Sequence, residues 1–255
     1  MPEKWTMEQA IVVFNLYCRI PFQKASSTNP DILETAKIIG RSPNSVKMKI
    51  GNFGSFDPEL KSKGIVGLAN SSRLDKQIWD EFNNDWESLS FESEKLIKEF
   101  KGQPVENSNI FEDTSLPQGM DKAQTIKARV NQSFFRSAVL SAYNNTCCIT
   151  GLSIPNLLIA SHIKPWKDSD HATERTNPRN GLCLNALHDK VFDAGLITID
   201  INYRIILSKD IKDMLPNEVV SNYFERYEGK HIQTPHRFLP MKELLEYHNK
   251  NIFKG

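Results

Sequence analysis

Two of the six histidines in this 255-residue chain, His162 and His188, stand on short apolar segments with Asn180 between them, in "ASHIKPW" and "NPRNGLCLNALHDKVFD". A neutral imidazole with an ordinary pKa of about 6.5 can take a proton from water as that water attacks phosphorus. A divalent ion on the far side neutralises the charge that develops and stabilises the departing oxygen. An Asn amide, with both donors and an acceptor, can fix a loop and the tautomer of a neighbouring imidazole. Base, positioner and ligand, the residue types that phosphodiester hydrolysis asks for, are all present in residues 160–193.

Their positions depend on the elements around them. The run Leu157 to Ile163, bounded by Pro155 and Pro165, reads as a buried strand with His162 at its end. Gly181 to Asn185 is a second short apolar run. "ALHDKVFDAG" then reads as a helix with Leu187, Val191 and Phe192 turned inward and Gly195 as its stop. Strand, loop, strand and helix make a ββα unit, and the alternating "LITIDINYRIILS" reads as a hairpin that buttresses it. Upstream, "DKAQTIKARVNQSFFRSAVLSAYNN" has the period of a helix that packs Ile126, Val130, Phe134, Val139 and Leu140. Its Lys122, Lys127, Arg129 and Arg136 suit a phosphate backbone as well as a solvated face.

The first hundred residues are helical by pattern. Thr6 is a candidate N-cap for a helix burying Ile11, Phe14, Leu16 and Cys18. A second helix begins at Pro30 or Asp31, points Leu33, Ala36, Ile38 and Ile39 inward and stops at Gly40. A third carries Val46, Met48 and Ile50 inward, with Asn44, Ser45, Lys47 and Lys49 on its polar side and Arg41 before it. Helix, short turn and helix with such a polar face fit a DNA-reading helix-turn-helix, and equally a capped surface helix. Ile78, Trp79 and Phe82 close the small core. "GQPVENSNIFEDTSLPQGM", rich in chain breakers and lacking Lys and Arg, reads as a linker. The expected layout is a helical domain at residues 1–100, a linker at 101–120 and a second domain at 121–255, an α+β chain overall.

At 39% hydrophobic, 25% charged and net +1, the composition is that of an ordinary globular protein without a polybasic coat, so contact with nucleic acid must come from local clusters of Lys and Arg. Cys18, Cys147, Cys148 and Cys183 form no CxxC pair, which signals neither a disulfide framework nor a structural zinc site and implies a reducing, cytoplasmic setting. No stretch reaches the roughly eighteen apolar residues of a membrane span.

The segments "CCITG", "LLIASHIKPW", "NPRNGLCLNALHDKVFDAGLITID" and the tail "FERYEGKHIQTPHRFLPMKELLEYHNKNIF" resemble the HNH, or ββα-metal, endonuclease superfamily, and within it the branch of bacterial HNH restriction endonucleases. In the tail, a Pro-rich loop precedes a final helix carrying a His. The resemblance implies a restriction-type DNA endonuclease in which His162 is the general base, Asn180 braces its loop and His188 is the metal ligand. It implies one Mg²⁺ or Mn²⁺, with Ni²⁺, Co²⁺ or Zn²⁺ also compatible with imidazole. Where many members place Asp or His before the base, this chain has Ser161, so the metal would be held by His188 with Asp193 about one turn on, or largely by phosphate and water. The candidate DNA contacts are Arg179 as a phosphate clamp, Lys164 and Arg175 in the loop, Arg136, and Arg41 and Lys47 in the helical head. Double-stranded DNA is the implied partner, and one site per strand favours a symmetric homodimer. Two rivals stand beside this reading: a DNA-binding regulator with a vestigial nuclease fold, and a nickase or mobile-element enzyme.

Overall fold

Thr6 and Gln9 cap each other's backbone at the first helix: Thr6 Oγ1 accepts the Gln9 N–H and Gln9 Oε1 accepts the Thr6 N–H, each at 3.3 Å. The resulting helix α1 (Met7–Arg19) is buried along its whole middle, Gln9 to Cys18, because other helices surround it. A computed structural model describes residues 4–68, 71–103 and 122–255, without the side chains of 122–125. The described chain falls into two compact units, residues 1–141 and 142–255.

In the first unit α1 packs against α2 (Pro30–Ile38), α3 (Pro43–Gly54), α5 (Arg73–Phe82) and α6 (Trp86–Phe100), with the short α4 (Pro58–Ser62) between α3 and α5. Phe14 lies 4.8 Å from Phe53 and 5.6 Å from Trp79 between ring centroids, and the Tyr17 hydroxyl donates to Asp57 Oδ2 at 2.7 Å. Removing the cap by Thr6→Ala should cost this unit about 1 kcal/mol, read as a lower denaturant midpoint.

Gly40, at φ 68, turns the chain between α2 and α3. Both helices have the expected extent, but two side chains face the other way. Leu33 and Met48 are 46% and 60% exposed, while Ile32, Ala36, Ile39, Val46, Ile50 and Phe53 fill the core. The buried set recurs every three or four residues, so Leu33 and Met48 fall off the stripe. Lys49 is also buried, although the sequence pattern placed it on the polar side. It pairs with Asp75, whose other oxygen accepts from Asn52 Nδ2 at 2.8 Å, and its ammonium sits 4.6 Å from the Trp5 ring centre. A buried cation so enclosed holds α3 to α5 and is not on offer to a phosphate.

The linker expected at 101–120 lies mostly outside the described residues. Helix α7 (Lys122–Ala142), assigned by pattern to the C-terminal domain, is grouped with the first unit. There the Ser90 hydroxyl donates to Asn131 Oδ1 at 2.5 Å, and Phe134 stacks on Trp86.

The second unit holds two antiparallel pairs: β1 (Leu158–His162) with β2 (Gly181–Asn185), and β3 (Ile197–Ile199) with β4 (Ile205–Leu207). Helix α8 (Ala186–Asp193) follows β2 directly and packs on both β1 and β2, giving the ββα unit. Two short helices, α9 (Lys209–Lys212) and α10 (Glu218–Tyr223), and the final α11 (Lys242–Asn251) complete it. Among the described residues no helix is long and apolar enough to cross a membrane.

Candidate functional site

The register of β1 on β2 sets His162 opposite Gly181, so Asn180 stands one residue before the cross-strand partner of His162. His162 Nε2 lies 3.0 Å from the Arg175 carbonyl oxygen. A carbonyl only accepts, so Nε2 carries the proton and the basic lone pair is on Nδ1. Burial lowers the pKa of the ring to about 4, against the Arg175 carbonyl, which raises it. The ring is therefore neutral over the physiological range, as a general base must be. Its edge meets the Trp166 ring at 5.7 Å, and the Arg175 guanidinium lies 5.6 Å over that same ring.

Asn180 holds the loop that supplies this carbonyl. With no exposed surface, it accepts the Lys164 N–H through Oδ1 at 2.9 Å and donates through Nδ2 to Lys164 O, Ser169 Oγ and Glu174 O at 3.1, 3.2 and 3.3 Å. Its own carbonyl accepts the Ile163 N–H at 2.9 Å. One side chain thus ties both ends of the loop 164–175 to the start of β2. Glu174 adds a second fastening, accepting from Lys164 Nζ at 2.6 Å and from the Asp170 N–H at 2.7 Å.

Helix α8 is capped by Asn185, whose Oδ1 accepts the His188 N–H at 3.0 Å. His188 itself is a core residue, 1% exposed, with Nδ1 3.1 Å from Asn185 Oδ1 and Nε2 2.9 Å from Tyr223 O. An oxygen stands against each ring nitrogen, so the ligand role expected of His188 would need one of these contacts to open. Helix geometry also bears on it: five residues at about 100° each leave His188 and Asp193 roughly 140° apart, on different faces.

Asp189 and Asp193, four apart, do share a face. Burial raises the Asp189 carboxyl, opposed by the Ser161 hydroxyl and by Lys190. Asp193, although it reaches solvent, is pushed up to about 6, first by lost solvation and then by the Asp189 charge. Ser161 is 3% exposed. Its Oγ makes no hydrogen bond of normal length, yet it lies close enough to Asp189 to lower that group's pKa. Two carboxylates raised mainly by burial, Asp193 also by the charge of Asp189, beside the buried Ser161 hydroxyl, fit a divalent cation whose remaining positions are filled by water and phosphate oxygens. Among the described residues no three His, Cys, Asp or Glu side chains converge on one point, so the chain would supply only part of the shell. In "LHDKVFD" Asp189 stands four residues before Asp193 and beside the more metal-typical His188.

The expected DNA-contacting cations are only partly displayed. Lys164 is paired with Glu174 and lies 5.0 Å over the Tyr247 ring, Arg175 Nε donates to Ser169 O at 3.1 Å, and Arg179 Nη1 points to Leu239 O at 3.5 Å. These three hold the loop and the C-terminal segment. Arg41 likewise donates to Gln9 Oε1 from Nε and Nη2 at 3.1 and 2.8 Å, with its guanidinium over Trp5. Lys47 and Arg136 are exposed, as are Lys167 and Lys190 nearer the site, and His171 is exposed in the loop.

His248 on α11 is 1% exposed, and burial lowers its pKa to about 4 against the Phe192 carbonyl. Because this lies below the ordinary value, an unfolded chain takes up a proton between pH 6.5 and 4 that the folded unit refuses. Stability therefore falls as pH drops through that window and is unaffected above it, by on the order of 3 kcal/mol in full. Urea midpoints at pH 7, 5.5 and 4.5 should show a steeper acid loss for wild type than for His248→Gln.

Residues 147–200, which contain β1, β2, α8 and β3, match the model of the family described as HNH endonuclease. Among curated proteins, none matches the chain. The family match points to a nuclease-type function on DNA.

Proposed function

Because the chain belongs to the HNH superfamily through residues 147–200, we propose that it is a metal-dependent DNA endonuclease of restriction type, with His162 as general base. The observation that carries this reading is the neutral imidazole at the end of β1, its Nε2–H held by the Arg175 carbonyl. Nδ1 takes the proton of the attacking water, while Asn180 keeps the loop and its carbonyl where the tautomer needs them. Asp189 and Asp193 hold the cation, Mg²⁺ or Mn²⁺ on the hardness of carboxylate oxygen. When bound, that ion supplies charge neutralisation at the phosphate and at the departing oxygen.

Exposed Lys167 and Lys190 are the phosphate contacts nearest the site, and Lys47 and Arg136 are those of the helical unit. The substrate is double-stranded DNA, and cutting both strands calls for a second copy of the chain. Cleavage of methylated and unmethylated plasmid in Mg²⁺, Mn²⁺, Ni²⁺ or EDTA tests the reading, with metal-dependent linear product as the expected result. Asp189→Asn and Asp193→Asn should each raise the metal concentration for half-maximal cutting about tenfold or more, as loss of groups around a metal does.

The engagement of both His188 nitrogens favours one second reading, a DNA-binding protein with an inactive nuclease fold. It is the outcome if no metal restores cutting while the protein still retards DNA in a gel.

A further inference from the structure

The final helix lies beyond the matched residues 147–200, yet it is fastened to the carbonyl end of α8. His248 stacks on the Phe192 ring, 3.8 Å between centroids and 10° from parallel. Its Nε2 lies 3.2 Å from Phe192 O and its Nδ1 2.8 Å from Thr198 Oγ1. A carbonyl accepts only, so Nε2–H donates to Phe192 O and Nδ1 accepts the Thr198 hydroxyl, which leaves a neutral ring with both nitrogens satisfied. Two residues beyond α8, Gly195 at φ 71 passes so close to the tail that a Cβ there would lie 2.1 Å from Ile252 O. Lys254 N–H donates to Gly195 O at 2.9 Å.

The last carbonyls of a helix have no partner within it, and the last turn frays unless something outside accepts or donates. At Phe192 O the donors are the Ala194 N–H, the Gly195 N–H at 2.9 Å and the His248 ring. Asp193 is the next residue, so whatever sets the Phe192 peptide sets the direction from which the Asp193 carboxylate approaches its site. A packing role would use only the stacked ring. The directed Nε2–H is what reaches the backbone of the carboxylate-bearing turn.

We propose that His248 is a positioning residue for the cation-holding carboxylates of α8, acting through the Phe192 carbonyl, so that the C-terminal helix is a working part of the site. This rests on the assignment of Asp189 and Asp193 as the residues that hold the cation.

The test is Mn²⁺ binding by the full chain without DNA, followed by the electron paramagnetic resonance signal of free Mn²⁺, beside thermal melting. His248→Gln can place an amide N–H near the Nε2 position and keep the bond to Phe192 O. His248→Asn reaches only as far as Nδ1 and loses it. Thr198→Val removes the hydroxyl partner and leaves the Phe192 bond. The expected result is Mn²⁺ binding weakened about tenfold in His248→Asn, and within about twofold of wild type in His248→Gln and Thr198→Val. Equal Mn²⁺ affinity in all three, with melting lowered, would make His248 a packing residue and overturn the proposal. Equal weakening in all three would also overturn it, since the Phe192 bond would then not be what matters. Failure of wild type itself to bind Mn²⁺ removes the carboxylate assignment, and with it this inference, and is seen in the wild-type arm alone.

Discussion

His162→Ala should lower the rate of plasmid cleavage by about 10²- to 10⁴-fold while leaving DNA retardation in a gel within a few-fold of wild type. The ring is half-buried at a strand end, so its loss leaves the strand pairing of β1 and β2 intact while removing the proposed proton acceptor together with its contacts to Arg175 O and Trp166. The pH dependence should carry the same signature. With its pKa lowered to about 4, the His162 ring of the free protein is deprotonated throughout the range in which a typical histidine base switches off, so its protonation should not produce a loss of kcat/KM near pH 6.5. Rates of wild type from pH 5 to 8 at saturating metal and subsaturating DNA check this. An acid limb in those rates that titrates at about 6.5 would show that the ring is solvated and that the tautomer argument fails.

Asn180→Ala should be the most damaging substitution in the second unit, costing about 4–6 kcal/mol. Four hydrogen bonds are lost, and the amide's partners at Lys164, Ser169 and Glu174 are left facing a methyl group. Chemical denaturation gives the number. Cutting should also fall, because the Arg175 carbonyl that fixes the His162 tautomer lies at the far end of the loop Asn180 fastens. Asn180→Asp should be no better, since its carboxylate would meet the Lys164 and Glu174 carbonyls with acceptor against acceptor. A variant with wild-type stability would show the loop to be held by Glu174 and Lys164 instead.

The parts of this site legible in the sequence were those marked by chain breakers. Pro155 and Pro165 bracket β1, Gly181 opens β2 and Gly195 closes α8, and these elements stand where that punctuation places them. His162 and Asn180 come together because strand pairing brings residues eighteen apart to adjacent rungs, a consequence of the hairpin-like pattern. What the pattern did not give was rotation about helix axes. His188, an apt metal ligand by chemistry, lies on α8 with its Nε2 against the Tyr223 carbonyl, while Asp189 and Asp193, four apart, share another face. The same blindness misassigned Leu33 and Met48, which are a residue or so off the buried stripe. Lys49 shows another limit: its acid, Asp75, is twenty-six residues away, and nothing local announces the pair. Nor does the chain between Asn180 and His248 hint that the final helix reaches the end of α8, since that contact depends on tertiary packing alone.

The low proton affinity of the His162 ring has a kinetic side. Burial is what suppresses its charge, and a phosphodiester drawn up to the ring brings an anion into the same poorly solvated space. The anion favours the imidazolium and raises the ring's pKa toward its ordinary value. In the proposed reaction His162 would thus be a feeble base until a phosphate arrives, and would then gain driving force for proton removal. Water near the site would be left alone until then, the activating power of the base being conferred by the bond to be broken.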